Sequence, residues 1–511
     1  MELFDNAMLG LSVALSWNNL LYCFLGVLIG TFLGVIPGIG VLASISLLFP
    51  LTFHMEPTAA LIMLAGIWYG TTYGGSTASV LLNVPGTPTN AVTCLDGYPM
   101  TKQGRGGVAL LMTTVASLFG GTFGILLLMM FSPVIASYAI TFGAPEYFSL
   151  MLLGLVAASS ISDGSFMKGL MMVALGILVG SVGTDIYTGT PRFVFGLLEL
   201  GDGVSLIALA MGVFGVAEVI ASIGRVNIRE LDKKSVSFAA MKPTKDDMSR
   251  SWMPMVRGSG IGSFFGTLPG TGPSLAAFVS YAVEKRVSKR PEKFGNGAIE
   301  GVAGPESANS AADQTSFIPT LSLGIPGSPT MALMLGALMI HGIAPGPQLM
   351  TEQPSLFWGL VMSFWIGNIL LVILNVPLIG VWVKVLTVPY HYLYPSVLMF
   401  IAIGTYSVNS SIIDIMMVAG FGLVGYFLAV LRYPLAPLIL GFVLGPLVEQ
   451  HFRRAMLISD GSLMTFVERP VSLTILVLTL LIALWGVWSG MKAKRLVRSL
   501  ENKDDKTAEN A

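Results

Sequence analysis

Four short segments join proline to glycine, three of them with hydroxyl or amide side chains, in a way that suits capture of a small anion. They are IPGIGV at 36–41, NVPGTPTN at 83–90, LPGTGPS at 268–274 and GIPGSPT at 324–330. Proline lacks an N–H and glycine admits broken geometry, so none of the four can be continuous helix. A helix that restarts after such a break presents unpaired N–H groups and the positive end of its dipole, which together favour an anion. The candidate substrate-binding positions are therefore the breaks and their flanking donors: Gly38, Gly40, Ser76, Thr77, Asn83, Pro85, Gly86, Thr87, Gly270, Thr271, Gly272, Ser274, Asn309, Ser310, Pro326, Gly327 and Ser328. No Lys or Arg lies in the four segments. An anion would be held by neutral donors, which suits a site that must also release what it binds.

Carbonyls freed at the same breaks can ligate Na⁺. Ser79, Asn83, Asp313 and Thr315 are the candidate coupling-ion residues, with Asp313 of ANSAADQTS favoured for Na⁺ or a proton. Glu306, Glu218, Asp185, Arg192, Lys384, Asp414 and Arg432 are further ionisable residues in apolar surroundings, while Asp163 and Lys168 read as an interfacial loop pair and Glu199 and Asp202 of LELGDG as a loop edge. Charge at membrane depth is costly and functional by default. The alternative reading of each break, a proline-kinked helix packed through glycine, stays open for any one of them.

The elements that must position these residues follow from composition. Of 511 residues, 54% are hydrophobic and only 11% charged, and the mean hydropathy is +0.77. A soluble domain carries roughly 25% charged residues. The expectation is an all-α polytopic membrane protein with about 10–12 transmembrane segments. Zero net charge removes the basic excess that nucleic-acid binding needs. Cys23 and Cys94 cannot build a disulfide framework, and His54, His341, His391 and His451 are scattered. No phosphate-binding loop, H-E-x-x-H or CxxC is present. No enzyme and no resident cofactor is expected, beyond Na⁺ as a coupling ion.

Basic residues concentrate at 102–105, 225–257, 285–293 and 492–506, whereas the loops at 50–57 and 341–355 hold no Lys or Arg. The positive-inside rule places the former in the cytoplasm, with the C-terminal tail, and the latter outside. Residues 26–40 and 258–272 match at eight of 15 positions, including five glycines and a proline in register. Asn83–Thr89 pairs with Gly324–Thr330, and Met171–Gly180 pairs with Met416–Gly425. Two inverted repeats with intramembrane helical hairpins account for both patterns. The division expected is an interfacial helix at 1–16, a first half at 17–224, a basic linker at 225–253, a second half at 254–470, a final span at 471–491 and a tail at 492–511. The N-terminus has no basic n-region, so a bacterial inner membrane is the expected location.

At GTFLGVIPGIG, YGGSTASVLLNVPGTP, LDGYPMTKQGRGGVAL, GTLPGTGPS and SLGIPGSPT the chain resembles the large membrane subunit of the tripartite tricarboxylate transporters, bacterial uptake systems for citrate and related carboxylates. The resemblance implies a permease working with a small four-helix membrane subunit and a periplasmic solute-binding protein. It implies import of a small carboxylate by alternating access on a Na⁺ or H⁺ gradient. Membrane lipid surrounds such a subunit, no nucleic acid is involved, and a homodimer stays open. An ion channel for small anions is the alternative. Gly324 stands where the first half has Asn83.

Overall fold

Helix runs wherever the apolar stretches continue and stops at the glycine–proline breaks. The computed structural model describes residues 2–36, 38–161, 165–185, 187–222, 238–268, 272–386, 388 and 390–488. In chain order the helices are α1 (Glu2–Ala14), α2 (Trp17–Val35), α3 (Val41–Thr52), α4 (Pro57–Leu82), α5 (Ala91–Lys102), α6 (Gly106–Ala139), α7 (Ala144–Ile161) and α8 (Phe166–Gly180). A two-strand hairpin, β1 (Gly183–Thr184) with β2 (Pro191–Arg192), precedes α9 (Leu206–Ala210), which continues through a π-type turn, Met211–Val216, into α10 (Ala217–Ser222). Then come α11 (Lys245–Thr267), α12 (Gly272–Val287), α13 (Glu300–Thr315), α14 (Phe317–Leu323), α15 (Pro329–Ile340), α16 (Gln348–Glu352) and α17 (Pro354–Asn375). The last are α18 (Ile379–Val385), α19 (Tyr390–Asn409), α20 (Ile412–Val430), α21 (Ala436–Ile458), α22 (Thr465–Glu468) and α23 (Pro470–Trp488).

Among the described residues α2, α6, α17, α20 and α23 are long and apolar enough to cross a membrane. α20 and α23 leave Met416, Leu423, Phe427, Leu480, Leu481, Leu484 and Trp485 exposed. In water that surface would be a liability; facing acyl chains it carries no cost. The chain is an all-α, multi-pass membrane protein.

Contacts divide it into two compact units. One comprises Met1–Thr141 with Val204–Phe427, the other Phe142–Gly203 with Leu428–Ala511. Each draws on both halves of the sequence. The Met171–Gly180 segment lies in the second unit and its sequence partner Met416–Gly425 in the first.

Inside the first unit two glycine stripes set the packing. Lipid tails are as apolar as leucine, so helices in a membrane associate mainly where small residues let backbones approach. On α2, Gly26, Gly30 and Gly34 rest on the α4 carbonyls of Met63, Ile67 and Thr71; a Cβ at Gly30 would stand 2.3 Å from the Ile67 oxygen. On α11, Gly258, Gly262 and Gly266 rest on Gly304, Ala308 and Ala312 of α13, where a Cβ at Gly262 would come within 2.1 Å of the Ala308 oxygen. The breaks that follow are also built alike. Asn83 ends α4 at φ 59° and Gly324 ends α14 at φ 71°. That left-handed conformation is open to both residue types, which explains the substitution. Thr87 and Ser328 are extended N-caps, each followed by a proline at the first helical position.

Polar clamps hold the ends. Arg257 of α11 grips Glu284 of α12 through two bonds of 2.8 and 2.6 Å, so the open ends of this pair stay together. Asp96 of α5 is wholly buried and accepts from the backbone N–H groups of Gly295, Gly297 and Ala298, each at 2.8 Å, and from Tyr281 Oη at 3.0 Å. It thereby fixes the turn that enters α13. At the basic end of α11, Thr244 and Asp247 form a capping box that Arg105 closes at 2.7 and 2.8 Å. Burial raises the Asp247 carboxyl, but the Arg105 and Thr244 donors outweigh it and hold it below the usual carboxylate range.

In the second unit α8 and α21 exchange glycines: Gly176 meets the Leu438 carbonyl and Gly441 the Val173 carbonyl. Asp185 and Arg192 lie in the strand hairpin, outside any helix, where Arg192 bridges Asp185 and Glu449. The Tyr187 N–H, with Thr188 and Arg192, brings Asp185 down to about 2. Glu199 sits in a short turn, as its LELGDG context implies. Asp163, the basic residues at 225–234 and the tail at 492–511 lie outside the described residues.

Candidate transport site

The centre of the first unit is α13, whose sequence EGVAGPESANSAADQT is the least apolar of any long helix here, yet every residue from Gly301 to Thr315 is buried. Burying polar side chains is costly unless they are bonded or used. Its polar residues recur at Glu306, Asn309, Ser310, Asp313 and Gln314, a spacing that draws one stripe along the helix. Small residues on its other faces allow the close approach of α11, and of α6 through Gly120 and Gly124.

Glu306 is 2% exposed and accepts hydrogen bonds from three hydroxyls. Ser76 of α4 donates at 3.0 Å, Ser117 of α6 at 3.3 Å, and Thr93 of α5 makes the shortest of the three. Behind Ser76, the Asn90 Nδ2 donates to Ser76 Oγ at 2.6 Å, and Thr87 Oγ1 donates to Asn90 Oδ1. Thr87 is the N-cap of the NVPGTPTN break. A continuous chain of hydrogen bonds therefore joins that break to the buried carboxylate. Further along the stripe, Tyr69 Oη donates to Gln314 Oε1 at 2.7 Å. Asn309 is 2% exposed, and neither its Nδ2 nor its Oδ1 has a partner among the described residues. Asp313 is 4% exposed, and its carboxylate takes no hydrogen bond from a described residue.

The other expected positions fall around this core. Gly86 is buried where its Cβ would stand 2.6 Å from Gly75 Cα and 3.3 Å from the Gly34 oxygen. Gly327 is placed alike, with its Cβ 3.4 Å from the Gly266 oxygen. Each break thus touches the last glycine of its stripe. Thr77, Ser310, Pro326 and Ser328 are buried; Ser328 accepts the Met331 N–H, and Ser274 is half-buried in the first turn of α12. Gly38 (φ +89°) and Gly272 (φ +63°) have the positive φ that suits glycine, and Gly40 caps α3. Asn83 and Pro85 are exposed. Ser79 and Thr315 spend their hydroxyls on carbonyls of their own helices, Gly75 and Ala311, both at 2.9 Å. Gly270 and Thr271 lie outside the described residues.

Of the polar centre, the sequence marked Glu306 only as one ionisable residue among several, and Asn90, Thr93, Ser117 and Tyr69 not at all. The 3.6-residue recurrence of polar residues in 306–314 was the available signal for Glu306; nothing local marks the partners, which converge from α4, α5 and α6.

Residues 20–440 match the tripartite tricarboxylate transporter TctA family. The chain belongs to that family. As a TctA-family protein it is a transporter membrane subunit of a tripartite system. It is 50% identical over 495 residues, covering 97% of this chain and 98% of the other, to an uncharacterized 52.8 kDa protein in the TAR-I ttuC' 3' region of Agrobacterium vitis. A second Agrobacterium vitis protein, from the TAR-II ttuC' 3' region, is 54% identical over 234 residues, 46% of this chain and 97% of the other. No solved structure matches.

Proposed function

We propose that this TctA-family subunit imports a small carboxylate, citrate or a relative of it, across the bacterial inner membrane by alternating access on a Na⁺ or H⁺ gradient. It works with a small four-helix membrane subunit and a periplasmic solute-binding protein, and its C-terminus is cytoplasmic. The observation that carries this reading is the buried polar helix α13 beside breaks between helices of a multi-pass membrane protein. Irregular backbone inside a membrane is tolerated only when buried in protein or lining a water-filled cavity. Breaks built alike in both halves, with neutral donors and no Lys or Arg, support a reversible carboxylate site at the two turns around Gly86 and Gly327. The two halves are proposed to be inverted repeats.

The division into units supports a moving part and a scaffold, because all four breaks and α13 fall in the same unit. Proteoliposomes holding the subunit with its small partner should take up labelled citrate or a related carboxylate saturably when loaded binding protein is added. Uptake should need an inward Na⁺ or H⁺ gradient and show counterflow. Currents far above stoichiometric turnover would favour the channel instead, and uptake indifferent to both gradients would remove the coupling.

A further inference from the structure

We propose that Asn309 and Asp313, with Glu306 one turn behind them, form a desolvated sodium-ion site on the inward stripe of α13. This rests on the transport reading above and names the ion and its ligands.

The starting point is charge balance. Glu306 and Asp313 are two turns apart on one helix, both almost fully buried, and neither is in an ion pair among the described residues. A buried charge is strongly unfavourable unless it is paired and hydrogen-bonded. The two acids solve this differently. Glu306 has three hydroxyl donors, so its negative charge is spread over a local network. Asp313 has none among the described residues, nor a counter-charge among them.

Asn309 offers that counter-charge a neutral oxygen. It stands between the two acids on the same stripe, one turn from each, with both ends of its amide unpartnered and its surface 98% lost. An orphaned buried amide costs roughly 1–3 kcal/mol for each unmet group. A proton on Asp313 would neutralise the charge and its O–H could serve Asn309 Oδ1, so proton binding is the outcome the test must separate from a cation. A hard monovalent cation uses both: the amide oxygen and the carboxylate are the oxygen ligands such ions prefer. Asn309 and Asp313 are spaced i, i+4, which puts them on the same face of the helix. No group of three or more His, Cys, Asp or Glu exists among the described residues. One carboxylate beside neutral oxygens suits Na⁺ better than a divalent ion.

The hydrogen-bond chain gives the site a way to influence cargo. Ser76 Oγ has two acceptors in reach, Glu306 and the Thr72 carbonyl at 3.4 Å. A cation drawing on the Glu306 field changes which one it favours, and Asn90 carries that change to the Thr87 cap.

The test uses the full-length protein in nanodiscs, read by ²²Na⁺ binding and by melting temperature in NaCl against choline chloride at equal ionic strength. Wild type should bind Na⁺ saturably and melt higher in NaCl, by mass action. Asn309→Leu and Asp313→Asn should weaken Na⁺ binding at least about tenfold, while Asp414→Asn, a buried acid bonded to Asn409, should leave it intact. If Asn309→Leu does not fold, Asn309→Ser keeps an oxygen and should still weaken binding measurably. Unchanged Na⁺ binding in the stripe variants overturns the site. So does a wild type that ignores Na⁺ but is stabilised by protons. Because binding is read without any carboxylate, Na⁺ binding in a protein that fails to transport would sink the functional reading and spare the site.

Discussion

Glu306 shows how much of this molecule turns on single acceptors. Three hydroxyls from three helices converge on it, so removing the carboxylate strands Ser117 and Thr93 in the interior. Glu306→Ala should lower the melting temperature, by an amount equal to roughly 1–3 kcal/mol per stranded hydroxyl, and abolish uptake. Glu306→Gln keeps an acceptor and should stay folded while transport falls; a Gln variant that transports normally would remove any role for the charge. Asp247 offers a second residue-scale test, on the water side. Its folded carboxyl lies below the unfolded value of about 3.9, so its stabilisation is complete above that value and is lost as pH drops through the folded one. Arg105 is 37% exposed, which limits the ion pair itself to little more than a surface contact. Wild type should therefore exceed Asp247→Asn by about 1 kcal/mol, the size of a lost cap interaction, at neutral pH. The gap should close as the pH falls below the ordinary carboxylate range, and a gap independent of pH would show that the carboxylate charge is not what matters.

At the scale of elements, the glycine stripes decide which helices pair. Gly26, Gly30 and Gly34 were legible in the sequence as a repeated motif, and so were the breaks that follow, because proline and glycine leave few backbone options. Their partners were not legible. The stripes pack on carbonyls of α4 and α13, and any helix surface offers carbonyls. For the same reason Glu306 passed as one acid among several: only the fold brings Ser76, Thr93 and Ser117 to it. Ser79 and Thr315 show the converse, since a hydroxyl in a helix can satisfy itself on the carbonyl four residues back. Gly262→Val would drive a side chain into the Ala308 carbonyl, where even a Cβ stands at 2.1 Å. It should separate α11 from α13 and yield protein that inserts but melts early and binds no substrate. Gly86→Val, facing Gly75 Cα at 2.6 Å, should abolish uptake with insertion intact. Normal transport by the Gly86 variant would show that the turn is not part of the path.

The whole molecule poses the question of orientation. Two halves with like stripes and like breaks could lie parallel or inverted, and local geometry is the same in both cases. Charge separates them. The chain after the first break reaches the Lys/Arg-free loop at 50–57, while the chain after the second reaches the basic run at 285–293. Under the positive-inside rule these ends are expected to face opposite sides of the membrane, and the proposed inversion would put the breaks at comparable depth. The two native cysteines, Cys23 and Cys94, are buried, so introduced cysteines can be read against a low background. His54, Lys102, Lys289 and Ala344 are all exposed. With a membrane-impermeant maleimide on intact cells, His54→Cys and Ala344→Cys should react, and Lys102→Cys and Lys289→Cys only after permeabilisation. The pair that decides is 54 and 289, because each directly follows one hairpin. Reaction of both from the same side would make the halves parallel, and a midplane site shared between two opposed breaks would then have no basis.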